Sequence, residues 1–69
     1  PGSTYYDLAY LHEILGDAYA YRLEVTKAAY HYHLARQYYM RIDKRLGDIA
    51  IRHKLRDIAP GDFSPDEQP

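Results

Sequence analysis

Apolar residues recur along this chain at the three- and four-residue spacing that places them on one face of an α-helix. In the segment 4–22 the recurring positions are Leu8, Leu11, Leu15, Ala18 and Tyr19. In the segment 25–42 the seam steps by four, three, four and three residues through Ala28, Tyr32, Ala35, Tyr39 and Ile42. These two stripes predict two amphipathic helices.

A third segment, 44–58, carries a broader apolar arc. Its apolar positions are Leu46, Ile49, Ala50, Ile51, Leu55 and Ile58. The alternation of apolar and polar residues that is typical of a strand is sustained nowhere in the sequence. We therefore predict an all-α fold of three antiparallel helices that are joined by short connections.

Residues with capping side chains suggest where the helices begin. Ser3 or Thr4 can cap the first helix, Thr26 the second and Asp43 the third, because each side-chain oxygen can accept a bond from a free backbone N–H group. The turn between the first two helices is expected at 23–26. No glycine or proline marks that turn.

The ends of the chain differ in composition from its centre. The first three residues, Pro1-Gly2-Ser3, are typical of a cloning-tag remnant. Pro60 and Gly61 are expected to stop the third helix. We therefore divide the chain into a tag remnant at 1–3, a helical module at 4–59 and a flexible acidic tail at 60–69.

Gly16 lies in the middle of the first predicted helix. A glycine at such a position costs about 1 kcal/mol relative to alanine, so it needs a reason in the packing. Close approach of the second helix supplies that reason.

The order of small and large residues over 9–40 resembles one tetratricopeptide repeat, a helix–turn–helix unit of roughly 34 residues. The matching residues are Leu15, Gly16, Ala18, Tyr19, Ala28, Tyr32 and Ala35. The chain departs from the repeat at Leu23, where a turn glycine is usual, and at Met40, where a proline is common. The third helix would then be a C-terminal capping helix.

The resemblance implies which residues hold the helices together. The packing positions are Leu15, Gly16, Tyr19, Ala28, Tyr32, Ala35 and Tyr39. The first helices of peptide-binding repeats line a concave groove, and here the resemblance places Tyr10, Glu13, Asp17 and Tyr21 on it. Two acids flanked by tyrosines favour a basic or polar segment of a protein or peptide partner. The alternative is that Glu13 and Asp17 form a solvated pair one helical turn apart.

These implications favour a non-enzymatic adaptor or scaffold. Such repeats are stable when stacked, usually three or more together. A single repeat with a cap should leave apolar area uncovered, so the resemblance implies either a fragment of a longer array or an oligomer. The alternative function is therefore a self-associating structural module, with the seam Ala28, Tyr32, Ala35 and Tyr39 stacked against another copy. A three-helix microtubule-interacting-and-trafficking domain, which binds helical tails, is similar in length and layout.

Composition and charge exclude several other classes. The net charge is −1 and the chain has no cysteine, so thiolate metal sites and disulfides are absent. We expect a cytoplasmic protein, with the periplasm left open, because no signal peptide or membrane-spanning run is visible. The basic residues that could contact nucleic acid are interrupted by acids; they are Arg41, Lys44, Arg45, Arg52, Lys54 and Arg56.

No constellation for catalysis or for a cofactor is visible in the sequence. His12 and Glu13 begin like a zinc-protease motif, but the second histidine is missing. His31 and His33 are two residues apart and therefore point in different directions on a helix. The prediction is no enzyme, no metal and no cofactor.

Overall fold

The computed structural model describes the backbone of residues 2–58 and the side chains from Thr4 onward. Over this range the chain forms three helices, α1 (Gly2–Tyr21), α2 (Val25–Arg41) and α3 (Arg45–Ile58). This confirms the predicted all-α fold of three helices. None of the three combines the length and apolar content that a membrane span requires. The predicted tail at 60–69 lies outside the described residues.

Helix α2 begins at 25 as predicted, but the capping residues predicted for the first two helices were wrong. The helical backbone begins at Gly2, so Ser3 and Thr4 lie within α1, whereas a capping residue stands outside the helix that it caps. In α2 the capping position belongs to Glu24, which makes no side-chain cap bond, and Thr26 is already helical. The first connection is therefore shorter than the sequence indicated.

The α1–α2 connection closes with a pair of backbone hydrogen bonds. The N–H of Glu24 donates to the carbonyl of Tyr19 at 2.9 Å, and the N–H of Leu23 donates to that of Ala20 at 2.9 Å. This pair is a Schellman motif, which needs one residue in the left-handed backbone region. Leu23 supplies it, with a φ of 62°. A leucine thus adopts the conformation for which glycine is the usual choice.

The α2–α3 connection repeats the pattern. The N–H of Lys44 donates to the carbonyl of Tyr39 at 2.8 Å, and the N–H of Asp43 donates to that of Met40 at 3.1 Å. Asp43 has a φ of 57° and is the left-handed residue of this motif. The predicted cap of α3 at Asp43 was wrong, because this residue terminates α2.

α2 lies between its two neighbours and packs against both, whereas the backbones of α1 and α3 scarcely approach each other. The buried apolar residues among those described are Ala9, Ala28, Ala29, Tyr32, Ala35, Tyr39, Ile51 and Leu55. The α2 seam is therefore covered within one chain. It is not free to stack against another copy, which corrects that part of the self-association hypothesis.

Two glycines let tyrosine rings of α2 approach the neighbouring backbones. A Cβ at Gly16 of α1 would lie 2.5 Å from ring carbons of Tyr32, and a Cβ at Gly47 of α3 would lie 2.6 Å from the ring of Tyr39. Real Cβ atoms do not come this close to other atoms. The two tyrosines are seven residues apart on one face of α2, so one repeated device attaches both outer helices.

Candidate functional site

Glu13 and Asp17 of α1 bind side chains of both other helices. From α2, the hydroxyl of Tyr39 donates to Glu13 Oε1 at 2.7 Å, and the hydroxyl of Tyr32 donates to Asp17 Oδ1 at 2.5 Å. From α3, the Nζ of Lys54 donates to Glu13 Oε2 at 2.9 Å and to both Asp17 oxygens at 3.0 Å. We call these five residues the acid junction. It joins α1 to α3, two helices whose backbones scarcely approach each other.

The acid junction keeps its three donors, Tyr32, Tyr39 and Lys54, protonated. Burial, together with the hydrogen bond to a carboxylate, raises the pKa values of Tyr32 and Tyr39 well above the usual value for a phenol. Burial disfavours the charged form of Lys54, but the bonds and charges of Glu13 and Asp17 outweigh it and raise the pKa of the ammonium. All three donors therefore keep their protons at neutral pH.

Along another edge of the α1–α2 pair, five aromatic rings stack in alternation between the two helices. Their order is Tyr5, Tyr38, His12, His31 and Tyr19, with neighbouring ring centroids 5.2–5.9 Å apart. We call this series the ring ladder. Its members are seven residues apart on each helix, which is two helical turns. Such spacing brings one ring after another onto the same line.

A cation covers each end of the ring ladder. The guanidinium of Arg41 lies 5.0 Å from the ring centre of Tyr5, and the ammonium of Lys27 lies 5.6 Å from that of Tyr19. Cations in these positions are attracted by the negative face of the ring. Each terminal ring of the ring ladder therefore has a cation as well as a ring for a neighbour.

The centre of the ring ladder is a pair of histidines. The Nδ1 atoms of His12 and His31 lie 3.0 Å apart, so one nitrogen donates a proton and the other accepts it. Burial, and then the neighbouring His31, lower the pKa of His12. The arrangement favours the neutral form of His12, because two protonated rings at this distance would repel each other.

The solvent-facing side of α1 carries, beside the exposed carboxylate of Asp17, a stripe of uncharged residues. The stripe consists of Tyr10, Leu11, Ile14, Ala18 and Tyr21, which we call the α1 outer face. Ile14 is 45% exposed and Tyr10 53% exposed, and Tyr21 reaches 90%. Exposed apolar stripes of this kind are typical of protein interaction surfaces.

A second apolar patch lies where α2 meets α3. Met40 and Ile49 form the base of an open groove of about 360 Å³, and charged residues line its rim. Asp48 on that rim is held by Arg36, whose Nε donates to it at 2.6 Å. The groove is surrounded by both signs of charge.

The four residues predicted to line a groove separate into two pairs. Glu13 and Asp17 lie in the acid junction, whereas Tyr10 and Tyr21 lie on the α1 outer face. Tyr10, Asp17 and Tyr21 are exposed and Glu13 is half-buried, and their role as a binding surface stays a prediction. The sequence analysis did not single out Ile14, and it counted Leu11 in the apolar stripe of the first helix, whereas Leu11 is 50% exposed.

The predicted basic run is dispersed over the structure. Arg41 lies against Tyr5, Lys44 lies over the ring of Tyr6, and Lys54 is held in the acid junction. Lys44, Arg45 and Arg52 line the groove between α2 and α3 together with Asp43 and Asp48, so acids interrupt this part of the run as well.

In the part of the chain that the structure describes, no three histidine, cysteine or acidic side chains stand together as a metal site would require. Comparisons with protein-family models, with curated proteins and with solved structures give no match.

Proposed function

We propose that this chain is a non-enzymatic protein-interaction module, an adaptor or scaffold, whose binding surface is the α1 outer face. One observation carries the proposal: between Tyr10 and Tyr21 the exposed side of α1 bears large apolar side chains, and its exposed acid, Asp17, is already bonded by Lys54 and Tyr32. Keeping such a stripe in water is unfavourable, and covering it with a partner removes apolar area from solvent.

The position of the two acids supports an apolar partner over a basic one. Glu13 and Asp17 would attract a basic segment if they were free. Lys54 already donates to both carboxylates, at 2.9 and 3.0 Å, and the side chain of Glu13 retains only 17% of its exposure. A basic segment would have to displace a bonded lysine, whereas an apolar helix needs to displace only water.

The partner that fits this surface is an amphipathic helix that presents an uncharged face. Helices bind one another through side chains spaced by three, four and seven residues. The α1 outer face offers Tyr10, Ile14 and Tyr21 at intervals of four and seven. Aromatic residues in such positions commonly supply much of the binding energy of an interface.

The test uses a synthetic helical peptide of zero net charge, with leucine and alanine on one face and glutamate and lysine on the other. We expect it to bind the chain in a calorimetric titration, and to lose affinity by about ten-fold or more against Ile14→Glu. Ile49→Glu is the matched control, because Ile14 is 45% and Ile49 44% exposed. Equal binding by both variants, or equal binding of a sequence-scrambled peptide, would contradict the proposal.

A further inference from the structure

The α1 outer face has properties that identify one specific occupant. We propose that the occupant is the α1 outer face of a second copy of this chain, in antiparallel orientation, with Ile14 on the two-fold axis. The inference rests on the proposed function, since it names the partner of the same surface. Two independent features of the stripe favour it, the charges at its ends and the sizes of its side chains.

The two ends of the stripe bear complementary groups. Exposed Asp7 lies one turn before its N-terminal end, and Tyr21 and Arg22 lie at its C-terminal end. The side chain of Arg22 is still 69% exposed although it bonds Glu24. An antiparallel pair centred on Ile14 brings Asp7 of each copy beside the Tyr21 hydroxyl and the Arg22 guanidinium of the other. A parallel pair would place Asp7 against Asp7, which is repulsive.

The side-chain sizes lead to the same orientation. Tyr10 lies four residues before Ile14, and Ala18 lies four residues after it. Antiparallel pairing therefore places the ring of Tyr10 over the small side chain of Ala18 twice, once on each side of the axis. Parallel pairing would oppose ring to ring and leave space between the two alanines. Large residues facing small ones pack without voids, which favours the antiparallel form.

The length of the α1 outer face limits the affinity of the proposed dimer. From Asp7 to Arg22 a helix rises about 22 Å, so the interface uses one face of one helix. The area that one helix face of this length can bury is less than the roughly 800 Å² per partner that stable interfaces bury. We therefore expect a weak dimer that exchanges with the monomer. Such an interface is isologous, because each copy uses the same residues.

Cysteine cross-linking tests the orientation directly, because the chain contains no cysteine of its own. Ile14→Cys should form a disulfide-linked dimer under mild oxidation, since the residue on the axis faces its own copy. Tyr10→Cys and Ala18→Cys should cross-link to each other when the two proteins are mixed, and several-fold less when each is alone. The control is Arg52→Cys, at an exposed position of α3, which should cross-link only at the background rate.

Sedimentation equilibrium supplies the second readout. We expect concentration-dependent dimers for the natural chain and for Ile49→Glu, and a monomer of unchanged helical content for Ile14→Glu. A natural chain that stays monomeric to high micromolar concentration would overturn the inference. So would Tyr10→Cys and Ala18→Cys proteins that cross-link as much when each is alone as when the two are mixed. If that monomer still binds the apolar peptide through Ile14, only the dimer is wrong. If it does not bind, the proposed function fails as well.

Discussion

Tyr32 lies where a side chain at position 16 would have to stand. Two ring carbons of Tyr32 are 2.5 Å from the place of a Cβ on Gly16, and the phenol hydroxyl of the same residue bonds Asp17. The glycine allows the contact, and the neighbouring carboxylate anchors the far end of the ring. One tyrosine is therefore positioned by two consecutive residues of α1.

This contact predicts whether one substitution stabilises or destabilises the fold. Gly16→Ala should destabilise the fold by about 1–2 kcal/mol, because the ring must shift in a packed interior. Without the ring, alanine should instead be favourable in a helix by about 1 kcal/mol. Urea denaturation of both single variants and of the double variant measures this. The expected result is that Gly16→Ala becomes stabilising in a Tyr32→Leu background, and a loss of the same size in both backgrounds would contradict it.

Lys54 is expected to hold α3 against α1. Lys54→Met should lower the free energy of unfolding by about 1–2 kcal/mol, because it leaves Glu13 and Asp17 close together without a cation. Amide hydrogen exchange in α3 should increase. Arg52→Met is the matched control, since Arg52 is an exposed cation on the same helix. If both variants lose stability equally, the acid junction does not hold α3 against α1.

The left-handed residues predict two stabilising substitutions of different size. Leu23→Gly should increase stability by about 1 kcal/mol, because leucine at a φ of 62° is strained and its side chain is 84% exposed. Asp43→Gly should gain less, since aspartate tolerates this conformation better. Thermal denaturation compares them with Leu23→Ala, which keeps the strain and should not gain. Destabilisation by Leu23→Gly would be inconsistent with the Schellman motif at this turn.

The histidine pair predicts a loss of stability in weak acid. Burial and His31 lower the pKa of His12 from its ordinary value of 6.5, so the unfolded chain takes up protons more readily than the folded one. Stability should therefore be complete above about pH 7 and decrease as the pH falls through 6.5. Melting temperatures measured between pH 5.5 and 8 should show this decrease.

A variant separates His12 from the other groups that titrate in this range. His12→Phe keeps a ring in the ladder and removes the proton, so its pH profile should be flatter. The pKa of His33 is also lowered, by burial and by Arg36, and His33→Gln removes that contribution without touching the ring ladder. An unchanged profile in His12→Phe would mean that the histidine pair does not govern the response.

Local periodicity accounts for the parts of the fold that were predictable. The four- and three-residue steps of Ala28, Tyr32, Ala35 and Tyr39 fall on one side of α2, and the structure buries all four. The need of Gly16 for a close neighbour was likewise deducible, because glycine in a helix is costly unless space is short. The repeat resemblance itself stays a prediction.

The acid junction was not predictable, because it depends on how a third helix sits on the first. Nothing near Lys54 in the sequence indicates that it meets residues 37 and 41 positions earlier. The ring ladder could have been found, since Tyr5, His12 and Tyr19 are spaced by seven residues. The left-handed turn at Leu23 could not, because leucine seldom adopts it.

The ring ladder and the Gly16 contact together determine the alignment of α1 along α2. Because the rings repeat every seven residues, moving one helix by two turns would again set ring against ring. Such a slide would bring Tyr32 opposite Ala9 instead of Gly16, and the methyl group of Ala9 would occupy the space that the ring needs. The missing side chain at position 16 thus distinguishes the native alignment from its nearest competitor.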